Sequence, residues 1–177
     1  AVSPGPNLYG LGKAVAEHLT ISFNSYSAGR KTKYSCGRWG NVVGSTGSVI
    51  PLFREQAILG KLTVTSRKMT RFWLTINDAA SFVLECLNKM EGGEVFIPHL
   101  KRAGITDIAR VISSDAEIVT IGIRPGEKLH EVLLAPEEMA HTVDLGWGYR
   151  INPMFHFWTK EEYSVGGSPV TNYADFT

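Results

Sequence analysis

Apolar positions along this chain switch repeatedly between helical and strand spacing. Ala14, Val15, Leu19 and Phe23 recur every three to four residues and predict an amphipathic helix ending near Tyr26. Pro4 and Pro6 hold an extended lead-in, and Asn7 or a neighbour caps the helix. Gly10 and Gly12 each weaken it by about 1 kcal/mol relative to Ala, so packing must support it. Ser27-Ala28-Gly29-Arg30 ends it. Lys33 to Val43 reads as a strand closing on Gly44-Ser45-Thr46-Gly47. A helix follows from Val49 to Leu59, with Pro51 in its first turn, where Pro is tolerated. Leu62–Thr65 and Phe72–Leu74 read as strands. A helix starts at Asn77 or Asp78 and runs to Met90. The turn Glu91-Gly92-Gly93 leads into a buried strand, Glu94–Pro98. Thr106 caps a helix to Ser113, Ile118–Ile123 is a strand, and Glu127–Leu134 a short helix. The segment after Ser164 reads as loosely ordered. Such alternation implies an α/β fold with a mostly parallel sheet.

Composition narrows the function classes. Hydrophobic residues make up 44% of the 177, enough for a core and against disorder. The 18 Lys and Arg nearly balance the 17 Asp and Glu, which argues against a nucleic-acid partner. The two cysteines, Cys36 and Cys86, lie in apolar runs without metal-ligand spacing, so no metal site is expected. Buried thiols and a reducing cytoplasm are the natural reading. No apolar run approaches the roughly 18 residues of a membrane span.

The chemistry begins with Tyr9 and Lys13, four residues apart on one helix face. An ammonium beside a phenol favours the phenolate, the acid/base device of a nicotinamide-dependent redox enzyme. The alternative is an amphipathic helix with a snorkelling lysine. Gly10-Leu11-Gly12 follows Pro-Gly-Pro rather than a strand and lacks a third glycine, so it is no dinucleotide fingerprint. Gly44-Ser45-Thr46-Gly47-Ser48 does join a strand to a helix, and its amides can receive a phosphate. Arg38-Trp39-Gly40-Asn41 lies at a strand end, where open α/β sheets bind ligands. Arg67-Lys68-Met69-Thr70-Arg71 and Arg124-Pro125-Gly126-Glu127-Lys128 add cations and a carboxylate. An Arg fork suits a diphosphate and a carboxylate suits a ribose diol, although each group taken singly is more often a solvated charge or a helix cap.

The ordered set Asn7-Leu8-Tyr9-Gly10…Lys13, Gly40-Asn41-Val42-Val43-Gly44-Ser45, Gly47-Ser48-Val49, Met69-Thr70-Arg71-Phe72-Trp73 and Gly122-Ile123-Arg124-Pro125-Gly126-Glu127-Lys128-Leu129-His130-Glu131 resembles the extended short-chain dehydrogenase/reductases of polysaccharide biosynthesis. Within them it is most similar to the UDP-N-acetylglucosamine 4,6-dehydratases of the soluble, inverting type. The resemblance implies an incomplete Rossmann-like, NAD(P)-binding parallel sheet with a small interleaved α/β substrate-binding lobe. Residues 1–44 and 72–98 would belong to the nucleotide-binding lobe, and residues 45–71 and 99–177 to the substrate lobe. It also implies NAD or NADP as cofactor and a UDP-sugar as substrate, oxidised at C4, dehydrated across C5 and C6, and reduced at C6. Tyr9 and Lys13 would be catalytic. Tyr9, Lys13, Trp39 and Asn41 would meet the cofactor. Asn41, Ser48, Val49, Arg71, Arg124 and Glu127 would hold the substrate, and His130 would pack. A homo-oligomer in the cytoplasm is the implied setting, with capsule, flagellin-glycan or O-antigen synthesis as the purpose.

The sequence departs from the family pattern in several places. The Gly-rich cofactor loop and the Thr-Asp-Lys dehydration triplet are not in it. Gly12 and Trp39 replace a small polar residue and a Tyr, and Pro-Gly-Pro is one residue longer than the pattern. The expectation is therefore the C-terminal part of such an enzyme, not able to turn over alone, with inner helix faces exposed. A UDP-sugar 4-epimerase, which needs no dehydration triplet, and a non-catalytic nucleotide-sugar-binding module remain the alternatives.

Overall fold

The computed structural model describes residues 8–27, 29–154, 158 and 166–177. Its contacts define two compact units. Unit 1 comprises residues 1–39, 80–99 and 132–177, and unit 2 comprises 40–79 and 100–131.

In unit 1, helix α1 (Leu8–Tyr26) forms as predicted. The expected cap Asn7 and the Pro4 and Pro6 lead-in lie outside the described residues. The face carrying Val15, Leu19 and Phe23 is about half exposed, and the buried residue of α1 is Asn24. Asn24 Nδ2 donates to the Ile21 and Tyr34 carbonyls at 2.9 and 2.8 Å, and its Oδ1 accepts the Tyr34 N–H at 3.0 Å. Satisfied in this way, a buried amide is tolerated. Gly92 (φ +107°) packs on the same amide, and a Cβ there would lie 2.7 Å from Asn24 Oδ1.

The predicted strand Lys33–Val43 is two strands in different sheets, β1 (Cys36–Gly37) and β2 (Asn41–Val42). The break falls where Arg38 turns its guanidinium onto Glu17 and Glu138 and where Trp39 packs edge-on to Phe82. Numbering the strands along the chain, unit 1 holds one sheet in the order β1-β5-β9-β8-β10. It joins β1 to β5 (Val95–Pro98), β8 (Thr142–Asp144), β9 (Gly148–Ile151) and β10 (Ser168–Pro169). The β1–β5 pair is parallel and the others are antiparallel. Helix α3 (Ile76–Lys89) contributes Phe82 to an aromatic group with Trp147 and Phe96.

The segment after Ser164, expected to be loose, is pinned in its described part. Phe176 is fully buried against Tyr149, its carbonyl accepts the Leu133 N–H at 2.9 Å, and Tyr173 Oη donates to the Leu134 carbonyl.

In unit 2, β2 pairs parallel with β4 (Thr70–Leu74), and β4 pairs antiparallel with β6 (Lys101–Gly104). Gly40 lets this pairing close, since a Cβ there would lie 2.4 Å from the Phe72 carbonyl oxygen. β3 (Lys61–Val64) and β7 (Glu117–Thr120) form a parallel pair. Helices α2 (Val49–Ala57) and α4 (Ile105–Ile112) cover them, and the core is Phe53, Leu62, Val64, Met69, Ile105, Ala109, Ala116 and Ile118.

Three further expectations change here. β6 was not predicted, and because it runs straight into α4, Gly104 rather than Thr106 is the N-cap. β7 stops at Thr120, where its partner β3 ends, and Gly122 (φ +88°) turns the chain. Residues 127–134 form bends, not a helix. The Lys128 and Leu129 carbonyls, which a helix would need, instead accept from Arg71 and the Thr70 N–H.

Candidate functional site

A cavity of about 320 Å³ opens within unit 2. Asn41 reaches it from β2, Arg71 from β4, Thr63, Val64 and Thr65 from β3 and its end, and Gly47, Ser48, Val49 and Leu52 from the start of α2. Arg124 and Glu127 close it from the Pro-Gly turn. All six residues that sequence reasoning gave to the substrate, Asn41, Ser48, Val49, Arg71, Arg124 and Glu127, therefore meet in one place.

The α2 end of this cavity suits an anion. Ser48 is the N-cap, yet its hydroxyl makes no cap hydrogen bond, and Oγ is buried without any partner. No acidic residue occupies the first turn. The free amides and the positive end of the helix dipole therefore meet no negative charge of their own helix.

The opposite wall is an ordered charge cluster. Arg71 Nη1 donates to the Thr70 and Leu129 carbonyls at 2.7 and 3.1 Å, and Nη2 donates to Lys128 O at 3.0 Å. Its Nε lies 3.7 Å from Glu131 Oε1 and Nη2 lies 3.9 Å from Glu127 Oε1. Glu127 Oε2 accepts the Arg124 N–H at 3.3 Å, and Thr65 Oγ1 donates to its Oε1 at 3.4 Å. Gly126 (φ +77°) takes the left-handed conformation that this turn requires. Arg124 itself is exposed.

Other candidates are used differently. Arg67 Nη2 donates to the Ile118 carbonyl at 2.7 Å and does not line the cavity. His130, expected to pack, is exposed with Nδ1 2.8 Å from Thr70 Oγ1. Thr63, Thr65, Leu52, Met69, Ile105 and Ile121 were not singled out in the sequence. For the two threonines the signal was available, as polar positions alternating with buried Leu62 and Val64.

In unit 1, Lys13 Nζ lies 5.6 Å from the centre of the Tyr9 ring, and both side chains are exposed. Trp39 meets Phe82 edge-on at 6.1 Å. Arg38, read as a ligand candidate, is buried and committed to protein partners. It donates to Glu17, to Glu138 and to the Leu133 carbonyl. Among the described residues no cluster could hold a metal ion, and no helix is long and apolar enough to cross a membrane.

Known proteins match this arrangement. The model of a family described as polysaccharide biosynthesis protein matches residues 1–153, which include α1 through β9. The Campylobacter jejuni protein named UDP-N-acetylglucosamine 4,6-dehydratase (inverting) is 38% identical over 162 residues, 90% of this chain and 48% of its own length. A Rickettsia bellii UDP-glucose 4-epimerase is 39% identical over 150 residues, 82% of this chain and 44% of its own. The X-ray structure of Pen from Bacillus thuringiensis superposes with a TM-score of 0.79 at 33% identity, over 85% of this chain and 49% of that one. The chain thus spans about half the length of the curated relatives it matches. Its motifs, its parallel strand pairs and these matches agree, and the chain belongs to the polysaccharide biosynthesis protein family of short-chain dehydrogenase/reductases.

Proposed function

We propose that this chain is the nucleotide-sugar-binding part of a UDP-N-acetylglucosamine 4,6-dehydratase, with Tyr9 and Lys13 as its acid/base pair. The protein it serves makes a UDP-4-keto-6-deoxy sugar for a surface polysaccharide or glycan. One observation carries the reading: Asn41, Ser48, Val49, Arg71, Arg124 and Glu127, scattered between positions 41 and 127 of the sequence, line one cavity.

Within that cavity the α2 amides and the Ser48 hydroxyl face phosphate oxygens, the exposed Arg124 adds a positive charge, and Glu127 accepts from ribose hydroxyls. Arg71 holds the turn that carries both. In unit 1 the Tyr9 phenolate oxygen takes a proton from a sugar hydroxyl and becomes the phenol, with the Lys13 ammonium beside it. An NAD(P) cofactor fits the residues present in part. The exposed Tyr9 and Lys13 of unit 1 suit its nicotinamide ribose, with Trp39 as a further contact, while no G-x-G-x-x-G loop occurs in the sequence. When bound, the cofactor supplies hydride transfer. The free thiols of Cys36 and Cys86 suit the reducing cytoplasm.

The 4-epimerase reading is favoured by Rickettsia relatives named UDP-glucose 4-epimerase, 38–39% identical over 82% of this chain. Turnover of UDP-N-acetylglucosamine by a protein containing this sequence separates the two. A 4-keto-6-deoxy product supports the dehydratase, and a C4-inverted sugar without elimination overturns it. The binding site is tested directly by calorimetry of UDP with the 177-residue chain. Binding that Arg124→Met weakens about tenfold or more is expected. No heat of binding at millimolar UDP sinks the reading.

A further inference from the structure

One hydroxyl on the cavity wall has its direction dictated by a residue that does not line the cavity. Gln56 sits in the last turn of α2, and its amide folds onto β3. Oε1 accepts the Thr63 N–H at 2.9 Å, and Nε2 donates to Thr63 Oγ1 at 2.8 Å. A backbone N–H can only donate. The amide therefore has one orientation, because a flipped one sets two donors against each other. Thr63 Oγ1 must accept from Gln56, which leaves its single proton over. Among the described residues that proton has no acceptor in the hydrogen bonds of the fold. Thr63 is among the residues that line the cavity, beside its neighbours Val64 and Thr65.

We propose that Gln56 is a positioning residue that fixes Thr63 as a hydrogen-bond donor into the cavity, so that the ligand group seated there is an acceptor and not an amine. This rests on the nucleotide reading above. The acceptor is then a pyrimidine carbonyl or a phosphate oxygen. A hydroxyl free to rotate would serve donors and acceptors alike. One already holding an amide proton does not, and a mismatched amine leaves two donors facing each other in a desolvated site.

The swap Gln56→Glu tests the direction. A carboxylate still accepts the Thr63 N–H, but its second oxygen can only accept. Thr63 then turns its proton onto the carboxylate and shows the cavity only lone pairs. UDP and CDP differ at that polarity, a carbonyl against an amine, while sharing one diphosphate. The added negative charge cancels in their affinity ratio. Both are titrated against the 177-residue chain, with unfolding curves confirming that every variant is folded. With the pyrimidine C4 carbonyl at Thr63, the parent chain favours UDP by about tenfold. Gln56→Glu then abolishes or inverts the preference, Thr63→Val removes it, and Thr63→Ser retains it. With the C2 carbonyl or a phosphate oxygen there, groups that both nucleotides share, UDP and CDP bind equally, both weaken about fivefold in Thr63→Val, and Thr63→Ser restores both. Affinities and ratio unchanged in Gln56→Glu and Thr63→Val overturn the inference while the nucleotide reading stands. If the parent chain binds neither nucleotide, that reading falls and the inference falls with it.

Discussion

Arg38 grips Glu138 through two parallel hydrogen bonds, Nη1 to Oε2 at 2.8 Å and Nη2 to Oε1 at 3.0 Å. Its Nε also donates to Glu17 at 3.1 Å, so one buried guanidinium ties α1 to the Ala135–Glu138 turn inside unit 1. Burial alone would raise the Glu138 carboxyl. The bonds from Arg38 and the Ala135 N–H outweigh it and hold the group below its ordinary 4.5. A depressed folded value gives stability that is present above the unfolded value and lost as pH falls through the folded one. Glu138→Gln is therefore expected to be less stable than the parent chain at neutral pH, with the gap closing below about pH 4. Urea unfolding at several pH values measures it, and a gap that stays constant into acid refutes the linkage. Arg38→Met is more severe, at about 3–5 kcal/mol, because it leaves two carboxylates partly buried.

Arg71 and Arg124 line the same cavity but are expected to fail differently. Arg71 spends its donors on the Thr70, Lys128 and Leu129 carbonyls. Arg71→Met should cost roughly 2–4 kcal/mol of unfolding free energy and loosen residues 124–131. Arg124 is exposed, so Arg124→Met should change stability by no more than about 0.5 kcal/mol while weakening UDP binding. Unfolding and calorimetry on both variants separate the roles. Equal stability losses would remove the distinction drawn between them.

The helices and the buried strands were legible in the sequence because their apolar periodicity is local. Phe53, Leu62, Val64 and Ile105 announce a core wherever they sit. Six of the residues that line the cavity were legible through ordered motifs. What was hidden depends on partners far away in the chain. Lys101–Gly104 has no strand pattern and becomes β6 only by pairing with β4. Residues 127–134 look helical until the Arg71 guanidinium claims their carbonyls. Arg38 looked like a ligand group until Glu138, one hundred positions away, arrived beside it. Gln56 and Thr63 are seven residues apart, yet their bond needs the turn at Gly60 (φ +69°) to bring strand back onto helix.

The thiols give a chemical test of unit 1. Burial, then the nearby Glu85 and Glu94 carboxylates, push Cys86 up to about 12, against a single opposing backbone hydrogen bond. Burial and Glu17 raise Cys36 as well. At pH 8 a thiol with that value is about one part in ten thousand thiolate, and the thiolate is the reactive form. Iodoacetamide should therefore label Cys86 far more slowly in the folded chain than in urea, with a rate still rising tenfold per pH unit above pH 9. Labelling of the folded chain that levels off near pH 9 would place the thiol in water and contradict its burial.

Ser48 offers the sharpest separation of fold from function. Its Oγ is buried with no partner, although it stands at the N-cap of α2, where a serine normally bonds an amide. A hydroxyl left in this state contributes nothing to the fold and carries a desolvation penalty. Ser48→Ala should therefore leave the unfolding midpoint unchanged or raise it slightly, where an ordinary cap serine would cost about 1 kcal/mol. UDP affinity should fall about three- to tenfold, because the oxygen that the fold left unpaired is the one a phosphate would meet. Calorimetry beside thermal unfolding reads both. A destabilised Ser48→Ala that binds UDP normally would make Ser48 a plain cap and take the α2 terminus out of the site.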